Sequence, residues 1–155
     1  MVNNGREDGL ENDLFFVCSV IEHIGRSTKN KRSEVVEKLG EKEISRLLEL
    51  ADILHCEPIE VTSGRLIERY GLNEGNFDNV GLCKYAVPTH FDIAKVYKRL
   101  VADLANTQNI APLSALVNVY TSWISEKIDD YNSSMYFENP QYLYASYTNG
   151  KVMAD

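Results

Sequence analysis

The side chains with the most reactive potential in this 155-residue chain fall between Asp78 and His90. A cysteine becomes a nucleophile when a nearby cation or base draws off its proton. Cys83 is followed directly by Lys84, and His90 lies seven residues further on. Asp78 and Tyr85 add polar groups to the same stretch, which reads as a loop, the usual place for functional groups held on a rigid scaffold. An enzymatic or nucleotide-handling site here needs Cys83, Lys84 and His90 to meet in space, and spacing alone does not bring them together. A half-buried free thiol accounts for Cys83 equally well. The chain has no G-x-S-x-G, P-loop, H-E-x-x-H or dinucleotide glycine pattern, so no catalytic residue and no cofactor is assigned.

Metal binding fares no better. His55 and Cys56 are neighbours, but adjacent helical side chains diverge by about 100°, and a zinc site needs regularly spaced ligands. Glu126 and Asp130 share a helix face at i, i+4, with Asp129 beside them, yet intervening Lys127 fits a solvated charged face. The loop from Gly75 to Asn79 lacks the carboxylates of a calcium site. Nucleic acid is disfavoured as a partner. Lys29, Lys31 and Arg32 form the one basic cluster, and the candidate recognition helix of a helix-turn-helix reading, 41–54, opens with Glu41 and Glu43, which would repel phosphates.

Tyrosine usage is the feature that rises above background. Of nine tyrosines, Tyr131, Tyr136, Tyr142, Tyr144 and Tyr147 crowd the C-terminal stretch, with Phe137 among them. Tyrosine has a large apolar body and a polar tip, suited to surfaces that are wet alone and buried in a complex. These tyrosines, with Asp129 and Asp130 at the rim, are the candidate partner-binding residues. Docking of a C-terminal helix on the rest of the fold is the competing use for them.

The elements that must position these groups are helical. Leu14, Val17, Cys18, Ile21 and Ile24 recur at helical spacing after a cap at Asn12 or Asp13, and Phe15, Phe16 and Val20 widen the stripe. Ser33 caps a short helix that Gly40 stops, and Ile44, Leu47, Leu48, Ala51 and Leu54 mark a third helix over about 41–54. Pro58 opens a fourth, which Gly71 closes. Thr89 and Asp92 form a capping-box pattern before Ile93, Tyr97, Leu100 and Leu104. From Pro112 the apolar positions run unbroken to Ile128 as one long helix, and Asn139-Pro140 starts a last one that ends at Gly150. The expected fold is all-α: a single-domain bundle of six to seven helices over 11–150, with at most one short strand near 82–87. Residues 1–10 and 151–155 are expected as tails.

Bulk properties agree. A chain of this length can bury a core without disulfides or metals. Apolar residues make up 44% and charged residues 25%, ordinary for a globular domain. The longest early apolar run, Leu14 to Cys18, is far short of the roughly 18–20 residues of a spanning helix, and an acidic N-terminus is unlike a signal peptide. No membrane association is expected. Three cysteines without a C-x-x-C pair fit a reducing compartment, so a cytoplasmic location follows. The net charge of −7 favours a basic partner by electrostatic steering.

Three stretches carry a resemblance: Phe15-Phe16-Val17-Cys18, Lys84-Tyr85-Ala86-Val87-Pro88-Thr89, and Trp123 through Tyr131 (WISEKIDDY). In these the chain resembles a group of small uncharacterised bacterial proteins, with the likeness extending from about residue 12 to 150. Their genes often lie beside one for an ADP-ribosyltransferase-like toxin, so the resemblance implies a role in a toxin–antitoxin or defence cassette. It transfers no catalytic residues. The functional expectation is a protein–protein interaction module, with a second copy of the chain as an allowed partner.

Overall fold

The computed structural model describes the backbone of residues 2–153 and the side chains from Gly9 to Met153. Among them the chain forms eight α-helices, one 3-10 turn and no strand. The helices are α1 (Val2–Thr28), α2 (Arg32–Glu49), α3 (Ala51–Leu54), α4 (Ile59–Tyr70), α5 (His90–Gln108), α6 (Pro112–Tyr120), α7 (Trp123–Asp129) and α8 (Pro140–Asn149). The 3-10 turn spans Met135–Phe137. None of the described helices is long and apolar enough to cross a membrane.

α1 is the central element. It packs most extensively on α5 and also contacts α2 and α4, while α5 carries α6 and α8 on its other sides. Its stripe of Leu14, Val17, Cys18, Ile21 and Ile24 is fully buried, and Ile93, Tyr97, Leu100 and Leu104 meet it from α5. Each such aliphatic side chain stabilises the fold by about 1.5–3 kcal/mol relative to leaving it in water.

The local signals resolve as the residues dictate. Gly40 takes φ 79°, ψ 163° and kinks α2, so the two helices expected on either side of it form one bent element. Gly71 closes α4 in the left-handed conformation. Thr89 and Asp92 make both bonds of a capping box at α5, 3.0 and 2.9 Å. Asn139 caps α8 through the Tyr142 amide at 2.8 Å.

Three boundaries depart from expectation, the first at Leu50, where the helix expected over 41–54 breaks and leaves Ala51–Leu54 as the separate α3. α1 begins at Val2, ahead of the cap expected at Asn12 or Asp13, so residues 2–10 continue a helix rather than form a separate tail. An apolar stripe marks only the buried part of a helix, and extending an existing helix is easy once it is nucleated. The long helix expected over 112–128 is instead two, α6 and α7. Thr121 Oγ1 donates to the Val117 carbonyl at 2.7 Å and Ser122 Oγ to the Val119 carbonyl at 2.7 Å. These hydroxyls bond back to the last turn of α6, and Ser122 goes extended at ψ 171° before α7 starts. At the other end, Lys151–Met153 return to α8, where Met153 accepts from the Tyr142 hydroxyl at 2.7 Å. Residues 154–155 lie outside the described region.

Candidate functional site

The long connection from Leu72 to Thr89 has no regular structure, yet it is fastened at several points from Asn73 to Pro88. At its start, Gly75 N donates to Thr28 O at 2.7 Å and Phe77 N to Lys29 O at 2.9 Å. Asn30 Nδ2 reaches Asn73 O at 2.9 Å. Further on, Asp78 Oδ1 accepts from Gly81 N at 2.8 Å and closes a turn. Asn132 grips the next stretch from both sides, accepting from Lys84 N at 2.8 Å and donating to Leu82 O at 3.1 Å. Near the end, the Arg26 guanidinium donates to Pro88 O and, at 3.2 Å, to the Tyr131 hydroxyl.

The middle of the loop is anchored in the core. Asn79 is 8% exposed and bridges two helices: its Nδ2 donates to Asp129 O at 3.0 Å, and its Oδ1 accepts from Arg32 Nη2 at 3.4 Å. Arg32 is itself wholly buried against equally buried Glu22, with Nε–Oε1 at 3.1 Å. Tyr120 donates to the other Glu22 oxygen at 3.0 Å. Asp129 accepts from Tyr97 at 2.7 Å and from Ser125 at 3.3 Å, while the Tyr97 and Tyr120 rings stack at 3.9 Å. The result is a polar cluster inside an apolar bundle, with its buried groups hydrogen-bonded to one another.

Its electrostatics follow from counting charges. Two carboxylates, Glu22 and Asp129, share one guanidinium, so one negative charge is in surplus in a medium that solvates it poorly. Burial, and then repulsion from Glu22, push Asp129 up to about 7 despite the pull of Arg32. Burial raises Glu22 as well, against the attraction of Arg32. Burial works against the charge on Arg32, but Glu22 more than offsets it and keeps the guanidinium protonated. The Tyr97 and Tyr120 hydroxyls are raised by burial first and by neighbouring groups that include the carboxylates, so both stay protonated.

Gly25 is the packing partner that admits Arg32. A Cβ at this position would collide with the Arg32 Cδ, and would lie 2.6 Å from Nε and 2.7 Å from Nη1. Gly25→Ala gains about 1 kcal/mol of helix propensity but must displace the guanidinium from Glu22. Thermal or urea unfolding is expected to show a net loss of roughly 1–3 kcal/mol.

The second half of the anchored loop presents large apolar side chains outward, beside exposed Lys84. Leu82 is 71% exposed, Tyr85 68% and Val87 42%, with Phe137 at 67% nearby in sequence to the residues that grip the loop. Phe137 stacks edge-on against Tyr136 at 5.0 Å, Tyr136 against Tyr131 at 5.8 Å, and Arg26 lies over the Tyr131 ring at 5.4 Å. Beyond Pro88 the aromatic path continues through His90 and Phe91, 4.1 Å apart, to Phe15 at 5.9 Å from Phe91.

The residues singled out from the sequence divide clearly. Tyr131 and Asp129 are buried, at 2% and 3% exposure, so both serve the interior and neither is free to meet a partner. Tyr136, Tyr142, Tyr144 and Tyr147 are half-buried against the core. Asp130 is exposed and its carboxylate caps the Asn132 amide at 3.0 Å. Among the described residues no hydrogen bond or ring contact joins Cys83, Lys84 and His90. The Cys83 thiol points to the carbonyls of Tyr85 and Tyr131, at 3.5 and 3.9 Å, and Lys84 is held through its main chain. The His90 ring instead meets His23, centroids 5.3 Å apart. Burial, aided by Arg26, lowers both histidines. The basic cluster is largely consumed: Arg32 is buried, and Lys29 faces Glu74 at 3.6 Å. Among the described residues no group of three or more His, Cys, Asp or Glu is arranged to hold a metal ion.

Sequence reasoning overlooked Leu82, Tyr85 and Val87 as a surface and Glu22–Arg32 as its support. One signal was available: Glu22 falls on the same stripe as Leu14 and Cys18, where a charge must find a partner inside the core. Fold and site together define an all-α, single-domain bundle with a buttressed apolar loop. No family model, no curated protein and no solved structure matches the chain.

Proposed function

We propose that this protein is a protein–protein interaction module whose recognition surface is the loop carrying Leu82, Tyr85 and Val87. One observation carries the reading: three exposed apolar side chains stand on a loop without regular structure whose backbone is nonetheless fixed by Asn79, Asn132 and Arg26. Exposed apolar side chains are costly in isolation and useful when covered. A backbone already ordered loses little further entropy on binding, so more of the contact energy appears as affinity. The resemblance to toxin-linked proteins supplies a candidate partner, a toxin that this chain would neutralise or assist, and the net charge of −7 favours a basic one.

The test is capture by the tagged full-length chain from native-host extract, with bound protein identified and its affinity then measured. A single stoichiometric partner is expected. Leu82→Ser with Tyr85→Ser should weaken it roughly 30-fold or more, as for hot-spot anchors, while stability stays within about 0.5 kcal/mol of the parent because both sites are exposed. Full affinity in that variant, with loss instead in Tyr144→Ser with Tyr147→Ser, would move the surface to α8.

A further inference from the structure

We propose that the open cavity lined by α1, α3 and the starts of α4 and α5 receives a Lys or Arg side chain carried on an apolar segment of a protein partner. This rests on the interaction reading and gives that partner a chemistry. The cavity measures about 470 Å³, within the range of roughly 300–1,000 Å³ typical of ligand pockets. Its walls are Phe15, Phe16, Ile59 and Phe91, and its polar edge carries Asp13 and Asp52.

The walls and the edge ask for different things, and one occupant answers both. Phe15 and Phe91 stand 5.9 Å apart with their planes tilted by 34°, leaving aromatic surface beside the acids. A cation near such rings gains from their quadrupole as well as from the carboxylates. Burial and the charge of Asp52 both raise the Asp13 carboxyl, while His55 acts in the other direction. Neither Asp13 nor Asp52 has an ion-pair partner among the described residues. Glu57, the third acid of the lining, is already committed to Arg65 at 3.0 Å and Thr62 at 2.6 Å. Asp13, partly buried, and exposed Asp52 therefore place two like charges at the rim of the cavity, and an incoming cation relieves their repulsion. A neutral apolar ligand leaves it in place, and an anion adds to it.

Position strengthens the assignment. Phe91, 44% exposed, is both a wall of the cavity and the continuation of the aromatic path from His90. His90 follows Pro88 and Thr89, where the anchored loop ends. A partner lying on Tyr85 and Val87 can thus continue along its own chain into the cavity.

The experiment is amide NMR on the full-length 15N-labelled chain, titrated with acetyl-Leu-Arg-Leu-Leu-amide and, separately, acetyl-Leu-Glu-Leu-Leu-amide. The arginine peptide should shift the amides of Phe15, Asp52 and Phe91 saturably, and the glutamate peptide should not. Asp13→Asn with Asp52→Asn, which removes a repulsion and should fold normally by circular dichroism, should weaken the arginine peptide about tenfold or more, equivalent to about 1.4 kcal/mol. Equal shifts with both peptides, no shifts with either, or a dimer by sedimentation that covers these residues would each overturn the assignment. Should it fail while Leu82→Ser with Tyr85→Ser still abolishes partner capture, the loop reading stands and only the cavity's role falls.

Discussion

Arg32→Met is expected to destabilise the protein by about 3–5 kcal/mol, because it leaves the buried Glu22 carboxylate without its counter-charge. The penalty reflects the stranded partner more than the net worth of the ion pair. Glu22 is 0% exposed, and its other protein contact is the Tyr120 hydroxyl at 3.0 Å. Glu22→Gln alone is expected to cost less, because Asp129 remains as a nearby negative charge for the guanidinium although no direct bond joins them. Combining Glu22→Gln with Arg32→Met removes both charges while preserving an acceptor for Tyr120. Denaturant unfolding of the four proteins should therefore show the double variant recovering roughly 2–3 kcal/mol relative to the sum of the single losses. Additive losses would mean that the two side chains do not share one buried environment. Arg32→Met should also release Asn79, so partner affinity should fall with stability.

Asp129→Asn is expected to act in the opposite direction. The native cluster holds two carboxylates for one guanidinium, and the surplus is reflected in Asp129 being raised from 3.8 to about 7. A carboxyl raised on folding binds more protons in the native than in the unfolded chain between those two values. Stability therefore falls as pH rises through that window and is lowest above it. The contribution is on the order of 2–4 kcal/mol. Asparagine keeps an oxygen for Tyr97 and offers its amide to Ser125, without the charge. Asp129→Asn should be more stable than the parent at pH 8, and the gap should close as pH falls toward 4. Urea midpoints at several pH values check this. A variant less stable at pH 8 would mean that Asp129 is needed ionised, as a second counter-charge for Arg32. Asp92, lowered by its bonds to Thr89, gives a smaller slope of the opposite sign, lost as pH falls below its ordinary range.

These two sites show what was legible in the sequence and what was not. Element type was legible because amphipathic spacing and caps are local: the Thr89–Asp92 box and the Gly71 and Gly150 stops are visible in a few residues. The break between α6 and α7 was not, because Thr121 and Ser122 interrupt a stripe whose apolar register continues across them. The tyrosine cluster was visible as composition, but composition does not say which way a ring points. Tyr131 proved to be a buried support under Arg26 and Tyr136. Arg32 stood beside Lys29 and Lys31 in a run that read as a basic surface, and only its meeting with Glu22, ten residues away in α1, turns it inward. Long-range pairings of this kind also order the loop, so residues 82–87 read as a candidate short strand beside reactive groups, and not as an apolar surface, until the anchors are seen.

The central claim is that the polar interior holds the 73–88 loop in one conformation before any partner arrives. Native-state amide hydrogen exchange tests it most directly, at Gly75, Phe77 and Lys84, whose N–H groups bond to Thr28 O, Lys29 O and Asn132 Oδ1. The account predicts that all three are protected at least a hundredfold over a free peptide, equivalent to about 2.7 kcal/mol of opening, and that Asn79→Ala removes much of that protection. Exchange at free-peptide rates in the unmodified protein would contradict it, leaving Leu82, Tyr85 and Val87 on a loop that is ordered only on binding.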